Sequence, residues 1–157
     1  MFHPYLNGEL TPYNDTNLCG SFVGIRGAHT KAHFTRALLE GVAFSLLDCI
    51  KTLDGMDIEH DKKATLIGGG AKSAVWRQIV SDCLGLEFEG KECSDSSFGS
   101  AMLAGIVAGF WKDENDALAH CSKTSFKVVP NPEKTAEYEK LFKKYKAVHD
   151  ALEDIYR

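Results

Sequence analysis

Hydrophobic and polar positions change their period several times along this chain, and each change predicts an element. Phe34, Ala37, Leu38, Gly41, Val42, Cys49, Ile50 and Leu53 recur at helical spacing, so a long helix is expected over about Thr30 to Leu53, with Gly55 just past its end. Ala64 to Ile67 is a short apolar run, β-branched enough to be expected in a buried sheet. Helical spacing returns at Val75, Trp76, Ile79, Val80 and Cys83, and Gly85 is placed to stop that helix. Leu86 to Phe88 reads as a strand and Glu89 to Asp95 as a polar turn. From Phe98 to Phe110, Gly99, Ser100, Ala101, Ala104, Gly105, Ala108 and Gly109 put small residues at helical spacing. The expectation is a buried helix lying close on a sheet, since the segment is too short to span a bilayer. A short helix over Asp113–His120 and an extended piece over Ser125–Pro130 follow. A last helix, Glu133 to Tyr156, has Leu141, Phe142, Tyr145, Val148, Leu152 and Ile155 on its expected inner face.

Before residue 30 no period holds. Pro4, Pro12, the Asn7-Gly8 and Asn14-Asp15 turn signals and Gly20, Gly24 and Gly27 predict a surface loop, with Phe22 to Ile25 pairing briefly as an edge strand. Strands alternating with helices place the chain in the α/β class, and 157 residues make one ordinary domain or part of a larger one, long enough to bury a real core.

The richest stretch for chemistry is Gly68-Gly-Gly-Ala-Lys-Ser-Ala74, between the predicted strand and the helix that starts near Val75. Three bare glycines cost backbone entropy, so the turn needs either φ > 0 or the close approach of another group. A strand, a glycine turn and a helix N-terminus together present free N–H groups and a positive dipole end to an anion such as phosphate. The stretch fits neither the Walker P-loop spacing nor the dinucleotide fingerprint, because Ala71 precedes Lys72 and Ser73 stands where a third glycine would fall. A tight β–α turn whose glycines serve packing alone is the competing reading. His29 and His33 are four apart, but no third ligand has recognisable spacing, so a solvated helix start is expected there and no metal site is assigned.

Charge and cysteines narrow the class. A formal net charge of -4 argues against nucleic acid or an anionic membrane as partner. Five cysteines with no CxxC pair read as a reduced, cytoplasmic protein.

Several of these segments resemble one family. Pro4-Tyr-Leu-Asn-Gly-Glu-Leu-Thr-Pro12, Gly20-Ser-Phe-Val-Gly-Ile25 and His33-Phe-Thr-Arg-Ala-Leu-Leu-Glu-Gly-Val-Ala-Phe44 look like the C-terminal half of the FGGY carbohydrate kinases. Ile67-Gly-Gly-Gly-Ala-Lys-Ser-Ala-Val-Trp-Arg-Gln-Ile79 resembles that family's nucleotide-binding turn, and Phe98-Gly-Ser-Ala-Met-Leu-Ala-Gly105 the small-residue helix after it. Within the family, the wording of the turn and of the opening motif is most similar to the xylulose-phosphorylating branch.

The resemblance implies part of an actin-like ATPase (RNase H-like) fold: a short sheet with flanking helices and a long C-terminal helix. It implies phosphoryl transfer from ATP to a sugar hydroxyl, with Mg2+ spreading the charge. Gly68, Gly69, Gly70 and Ala71 would hold nucleotide phosphates, Ser73 and Ala74 would face base or ribose, and Gln78 lies one turn on. ATP/ADP would be the partner here, and a pentulose or related polyol would be held by a preceding domain. The resemblance also places this stretch in the second half of such kinases. Residues 1–157 are therefore expected to be one truncated nucleotide-binding domain, without its catalytic base and inactive alone. Asp82 and Glu40 are read as structural. Strands left unpaired by such truncation predict a homo-oligomer. The alternatives are a free-standing, non-catalytic nucleotide-binding or association domain, or a piece of a ribulose, gluconate or glycerol kinase. Two departures from the family pattern stand out: Leu10 where the opening motif has arginine, and Ala74 where some relatives carry an amide.

Overall fold

The computed structural model describes residues 1–92, 95–121 and 123–156. A two-stranded antiparallel ribbon pairs β1 (Phe2–His3) with β2 (Ser21–Phe22). A three-stranded sheet has β4 (Glu87–Lys91) at its centre, parallel to β3 (Lys63–Thr65) and antiparallel to β5 (Thr124–Val128). Helices α1 (Lys31–Gly55), α2 (Ala74–Leu84), α3 (Ser96–Val107), α4 (Glu114–Cys121) and α5 (Pro132–Tyr156) complete the chain. The α/β architecture matches the expectation. Among the described residues, no helix is long and apolar enough to cross a membrane.

Helix α1 begins where Thr30 leaves the extended region, and His33 Nδ1 accepts the Thr30 N–H at 3.1 Å. The histidine is thus a cap, the first two turns of the helix gaining a partner for an otherwise orphaned amide. The buried face is not the predicted stripe. Gly41, Phe44, Leu47 and Asp48 point inward, while Leu38 and Val42 are exposed. What turns the helix is Gly41: a Cβ there would run into the Phe2 carbonyl, so β1 crosses the helix at that residue. Gly41→Ala is therefore expected to cost about 1–3 kcal/mol, because a backbone carbonyl cannot swing aside as a side chain can. Gly55→Ala, where the added methyl meets nothing, is the control, and thermal unfolding of both variants is the measurement.

The opening segment corrects the expectation of a surface loop. Phe2, His3, Tyr5 and Leu18 are buried, and Tyr5 and Leu18 join the main core. That core is built from Phe44 and Leu47 of α1, Ile79, Val80 and Cys83 of α2, Phe88 of β4, and Tyr138, Phe142 and Tyr145 of α5. On α5, Tyr138 and His149 belong to the buried face, while Leu141 and Ile155 are exposed.

Two buried histidines bind the N-terminal segment to α5. His3 donates from Nε2 to the Tyr145 carbonyl at 3.1 Å and stacks on the Tyr145 ring; His149 stacks on Tyr13. Burial pushes both imidazoles below the ordinary 6.5, and Lys146 beside His149 adds to the effect there. The folded state thus favours the neutral rings, and the unfolded chain takes up protons first as pH falls. Their contribution to stability is full above about pH 6.5 and is lost as pH drops below it. The melting temperature is expected to fall between about pH 7.5 and 5.5, and to fall less in a His149→Gln variant.

The sheet is half-covered. Phe88 and Gly90 of β4 face the helices, and the Phe126 ring lies over Gly90 where a side chain would otherwise stand. The other face carries Lys63, Glu87, Glu89 and Lys127 in register. β3 corrects a second expectation: it is an exposed edge strand, with Lys63, Thr65 and Ile67 open to solvent. β4 extends into the predicted polar turn as far as Lys91, and Cys93 and Ser94 of that turn lie outside the described residues. α3 corrects a third: Gly105, beneath Trp111, is its one buried residue. The small-residue helix stands off the sheet instead of lying on it.

Candidate functional site

After β3, Leu66 N–H still bonds the Glu89 carbonyl at 2.8 Å, and the chain then leaves the sheet. Gly68 has φ +84°, a left-handed conformation that side chains resist. Ala71 N–H returns to the Gly68 carbonyl and Lys72 N–H to that of Gly69, both at 3.2 Å, closing a single 3-10 turn over Gly70–Lys72. The helix does not follow the glycines directly. Ser73 intervenes, takes the Trp76 N–H on its Oγ at 3.3 Å, and starts α2 at Ala74. Gly85, at φ +67°, ends that helix as predicted.

The three glycines have separate causes. Gly68 supplies the left-handed corner. Gly70 is bare because a Cβ would lie 2.6 Å from Trp76 Nε1. Gly69 answers to neither demand: its φ of -62° suits any residue, and a Cβ there would stand in open space. Among the described residues no acceptor pairs with the N–H groups of Gly69, Ala74 or Val75. The turn is therefore an exposed cradle with unspent donors, in which one glycine has no internal reason to be a glycine. Such an opening suits a group that approaches the backbone itself.

The other predicted residues sit as follows. Ala71 is buried beneath the turn with its N–H already used, so its amide faces inward. Ser73 and Ala74 are exposed on the first turn of α2, and Lys72 beside them is exposed too. Gln78 is drawn the other way, donating to Asp82 Oδ1 at 2.8 Å and to the Val129 carbonyl at 3.0 Å. Asp82 also accepts the Asn131 N–H at 2.8 Å, which holds the start of α5 against α2. Glu40 is tied to Arg36 and Tyr138. Both carboxylates are engaged in hydrogen bonds that tie α5, or the loop before it, to α1 and α2. Among the described residues no cluster of three His, Cys, Asp or Glu side chains can hold a metal. His29 Nδ1, like that of His33, is occupied as an acceptor, here from the Arg26 N–H.

Sequence reasoning missed the groove between α1 and α2, about 440 Å³ and lined by Lys31, Ala32, Thr35, Arg36, Leu39 and Val75. Its walls come from two helix starts 36 or more residues apart, and no local pattern announces their meeting. Val75 belongs to both the groove and the first turn of α2.

The fold is a mixed α/β domain with an open glycine turn, and comparison with known proteins gives the family. Residues 1–108 match the C-terminal domain of the FGGY family of carbohydrate kinases. The xylulose kinase of Staphylococcus epidermidis is 38% identical over 150 residues, covering 95% of this chain and 30% of that protein. The crystal structure of ligand-bound xylulose kinase from Lactobacillus acidophilus superimposes with a TM-score of 0.87 at 30% identity, over 99% of this chain and 32% of that one. Plasmodium falciparum glycerol kinase with ADP matches with a TM-score of 0.80 at 26% identity, over 97% of this chain and 30% of that one. The chain belongs to the FGGY family of carbohydrate kinases, and its fold is that of the family's C-terminal domain. It spans about 30% of the length of the curated relatives it matches.

Proposed function

We propose that these 157 residues are the nucleotide-side domain of a sugar kinase that transfers the γ-phosphoryl group of ATP to a pentulose hydroxyl, xylulose being the preferred substrate. The observation that carries the reading is Gly69, a glycine the fold does not require, set among unspent amides at the start of α2. The amides of Gly69, Ala74 and Val75 would hold phosphate oxygens, with Gly68 and Gly70 shaping the turn and Lys72 adding charge. Ser73 is the cap that aims the helix end, and Ala71 and Gln78 support from below and behind. Mg2+ would arrive on the nucleotide phosphates, since the described side chains do not build a site for it. The attacking sugar and its base belong to a sugar-binding domain; here Asp82 and Glu40 are committed elsewhere. The sugar itself is the finer part of the proposal and rests on the xylulose kinase relatives. The exposed edge of β3 and the uncovered α3 favour association with a second copy when the domain stands alone.

Calorimetry with ATP tests the site. A few charge-assisted hydrogen bonds of about 1.5–3 kcal/mol each, set against the entropy of association, give an affinity of about 1 mM or weaker. Gly69→Asp is expected to weaken binding about tenfold or more by placing a carboxylate among the phosphates, at unchanged melting temperature. Equal affinity in wild type and Gly69→Asp would remove the turn from the site.

A further inference from the structure

The ties that hold the opening segment to α5 converge on Tyr145, Lys146 and His149. Tyr145 donates its hydroxyl to that of Tyr5 at 2.6 Å, and its carbonyl accepts from His3 Nε2 at 3.1 Å. Lys146 donates to the Tyr13 oxygen at 2.7 Å, and the His149 ring stacks on that of Tyr13 with centroids 3.9 Å apart. A carbonyl only accepts, so His3 carries its proton on Nε2 and leaves Nδ1 bare. That Nδ1 is buried and, among the described residues, has no hydrogen-bond partner. The hydroxyl of Ser21, the register partner of His3 across the ribbon, is also buried without one, so the two do not bond. A second proton on His3 would thus be an N–H sealed from water with no acceptor, which is costly. The surrounding charges do not offset that cost. The amino terminus and His149 both oppose a positive His3 ring, and the neighbouring Tyr5 and Tyr145 are held neutral by burial. Around His149, Lys146 opposes a positive ring while Asp150, Glu153 and Asp48 favour one, and burial with Lys146 prevails.

We propose that residues 2–18 form a strap that acid releases from α5, while α1, α2, α5 and the three-stranded sheet stay closed. Docked, each histidine takes up a proton only at lower pH; released, both reach water and bind protons at their ordinary affinity. Release therefore absorbs up to two protons, and its equilibrium constant rises as pH falls below about 6.5. Each ring contributes up to about tenfold between pH 7.5 and 5.5, and the pair up to about 100-fold. The remaining core has its own contacts: Phe44, Ile79, Val80, Phe88 and Phe142 join α1, α2, β4 and α5. Segments tied down by few anchors open before such a core does. Release bares Gly41 on α1, where the Phe2 carbonyl lies, and Tyr145 on α5. The strap is thus a conformational device that reads acidity through two rings on one helix contact.

The test is native-state hydrogen exchange of the wild-type chain, followed by nuclear magnetic resonance from pH 7.5 to 5.5 and corrected for the intrinsic exchange rate. The Gly8 amide bonds the Leu18 carbonyl, and the Val23 amide bonds that of Met1 beside the ribbon. A ribbon of two-residue strands does not hold in water by itself, so both amides exchange once the strap has left. At every pH they are expected to be less protected than the Ile79 and Val80 amides of α2, which separates release from unfolding. Their protection should fall by about 10- to 100-fold across the range. His3→Gln keeps a donor for the Tyr145 carbonyl, and His149→Phe keeps a ring on Tyr13. Each should shrink the fall, and the double variant should reduce it to about twofold or less. Equal protection of the strap and α2 amides at every pH overturns local release. A wild-type fall of less than about threefold overturns its control by the histidines, and the wild-type series alone decides both points. Folded variants that keep the full wild-type fall overturn the assignment to these two rings.

Discussion

Asp48→Ala is expected to lower the free energy of unfolding by about 3 kcal/mol, the lower end of what breaking a buried ion pair costs. Asp48 is 5% exposed, and its Oδ2 accepts from Lys146 Nζ at 3.1 Å and from the Tyr13 hydroxyl. Lys146 also donates to the Tyr13 oxygen at 2.7 Å, and its ammonium stands 4.5 Å above the Tyr13 ring. One carboxylate thus joins the N-terminal segment, α1 and α5, three pieces far apart in sequence. Burial, and next the bond to Asp48, push the Tyr13 hydroxyl far above its ordinary 10, so it remains a donor at any physiological pH. Alanine would leave that donor and a half-buried ammonium without their acceptor, each at the cost of its desolvation. The lower end applies because Lys146 keeps a third of its side chain in water. Asp48→Asn, which keeps an acceptor but not the charge, should fall between. Urea denaturation gives the values, and near-ultraviolet dichroism of the tyrosines reports whether the N-terminal segment has left α5. A loss below about 1 kcal/mol would put the trio among ordinary surface pairs.

That tie between chain ends could not be read from the sequence, whereas the elements themselves could. Helices α1, α2, α4 and α5 and strands β4 and β5 lie where the hydrophobic period and the Gly85 stop signal put them. What failed was the choice of face. α1 is apolar on several sides, and its inner face was selected by two long-range contacts, the Phe2 backbone at Gly41 and Lys146 at Asp48. The opening segment has no period because it buries isolated aromatic anchors, Phe2 and Tyr5, between turns, and its prolines and glycines suggested a surface loop. At the glycine turn, strand, turn and helix were legible, and so was the demand for φ > 0 or close approach. Which glycine met which demand depended on the Trp76 indole, eight positions beyond Gly68 and invisible as a neighbour until the turn was folded. The amide of Gln78 carried no sign of its commitment to Asp82 and Val129, since Val129 lies 51 residues away.

The isolated chain is expected to associate, with a weight-average mass that rises from 17.3 kDa toward twice that value across the micromolar range. No charged residue occurs between Ser96 and Trp111, and Leu103, Val107 and Phe110 are 59%, 91% and 79% exposed. Isolated apolar residues on a surface are ordinary, but three on one uncharged segment form the kind of patch that marks an association surface. β3 adds an unpaired strand edge with Ile67 open beside it. β1 and β2 pair with each other, so the N-terminal ribbon does not close that edge. Lys62 and Lys63 guard the edge as charged residues commonly do, which makes α3 the stronger contact. The double variant Leu103→Lys, Val107→Lys should therefore raise the dimer dissociation constant about tenfold or more. Both residues are exposed, so the melting temperature of the dilute, monomeric chain should not change. Sedimentation equilibrium at several loading concentrations separates the outcomes: a single 17.3 kDa species throughout would mean that α3 needs no cover in solution.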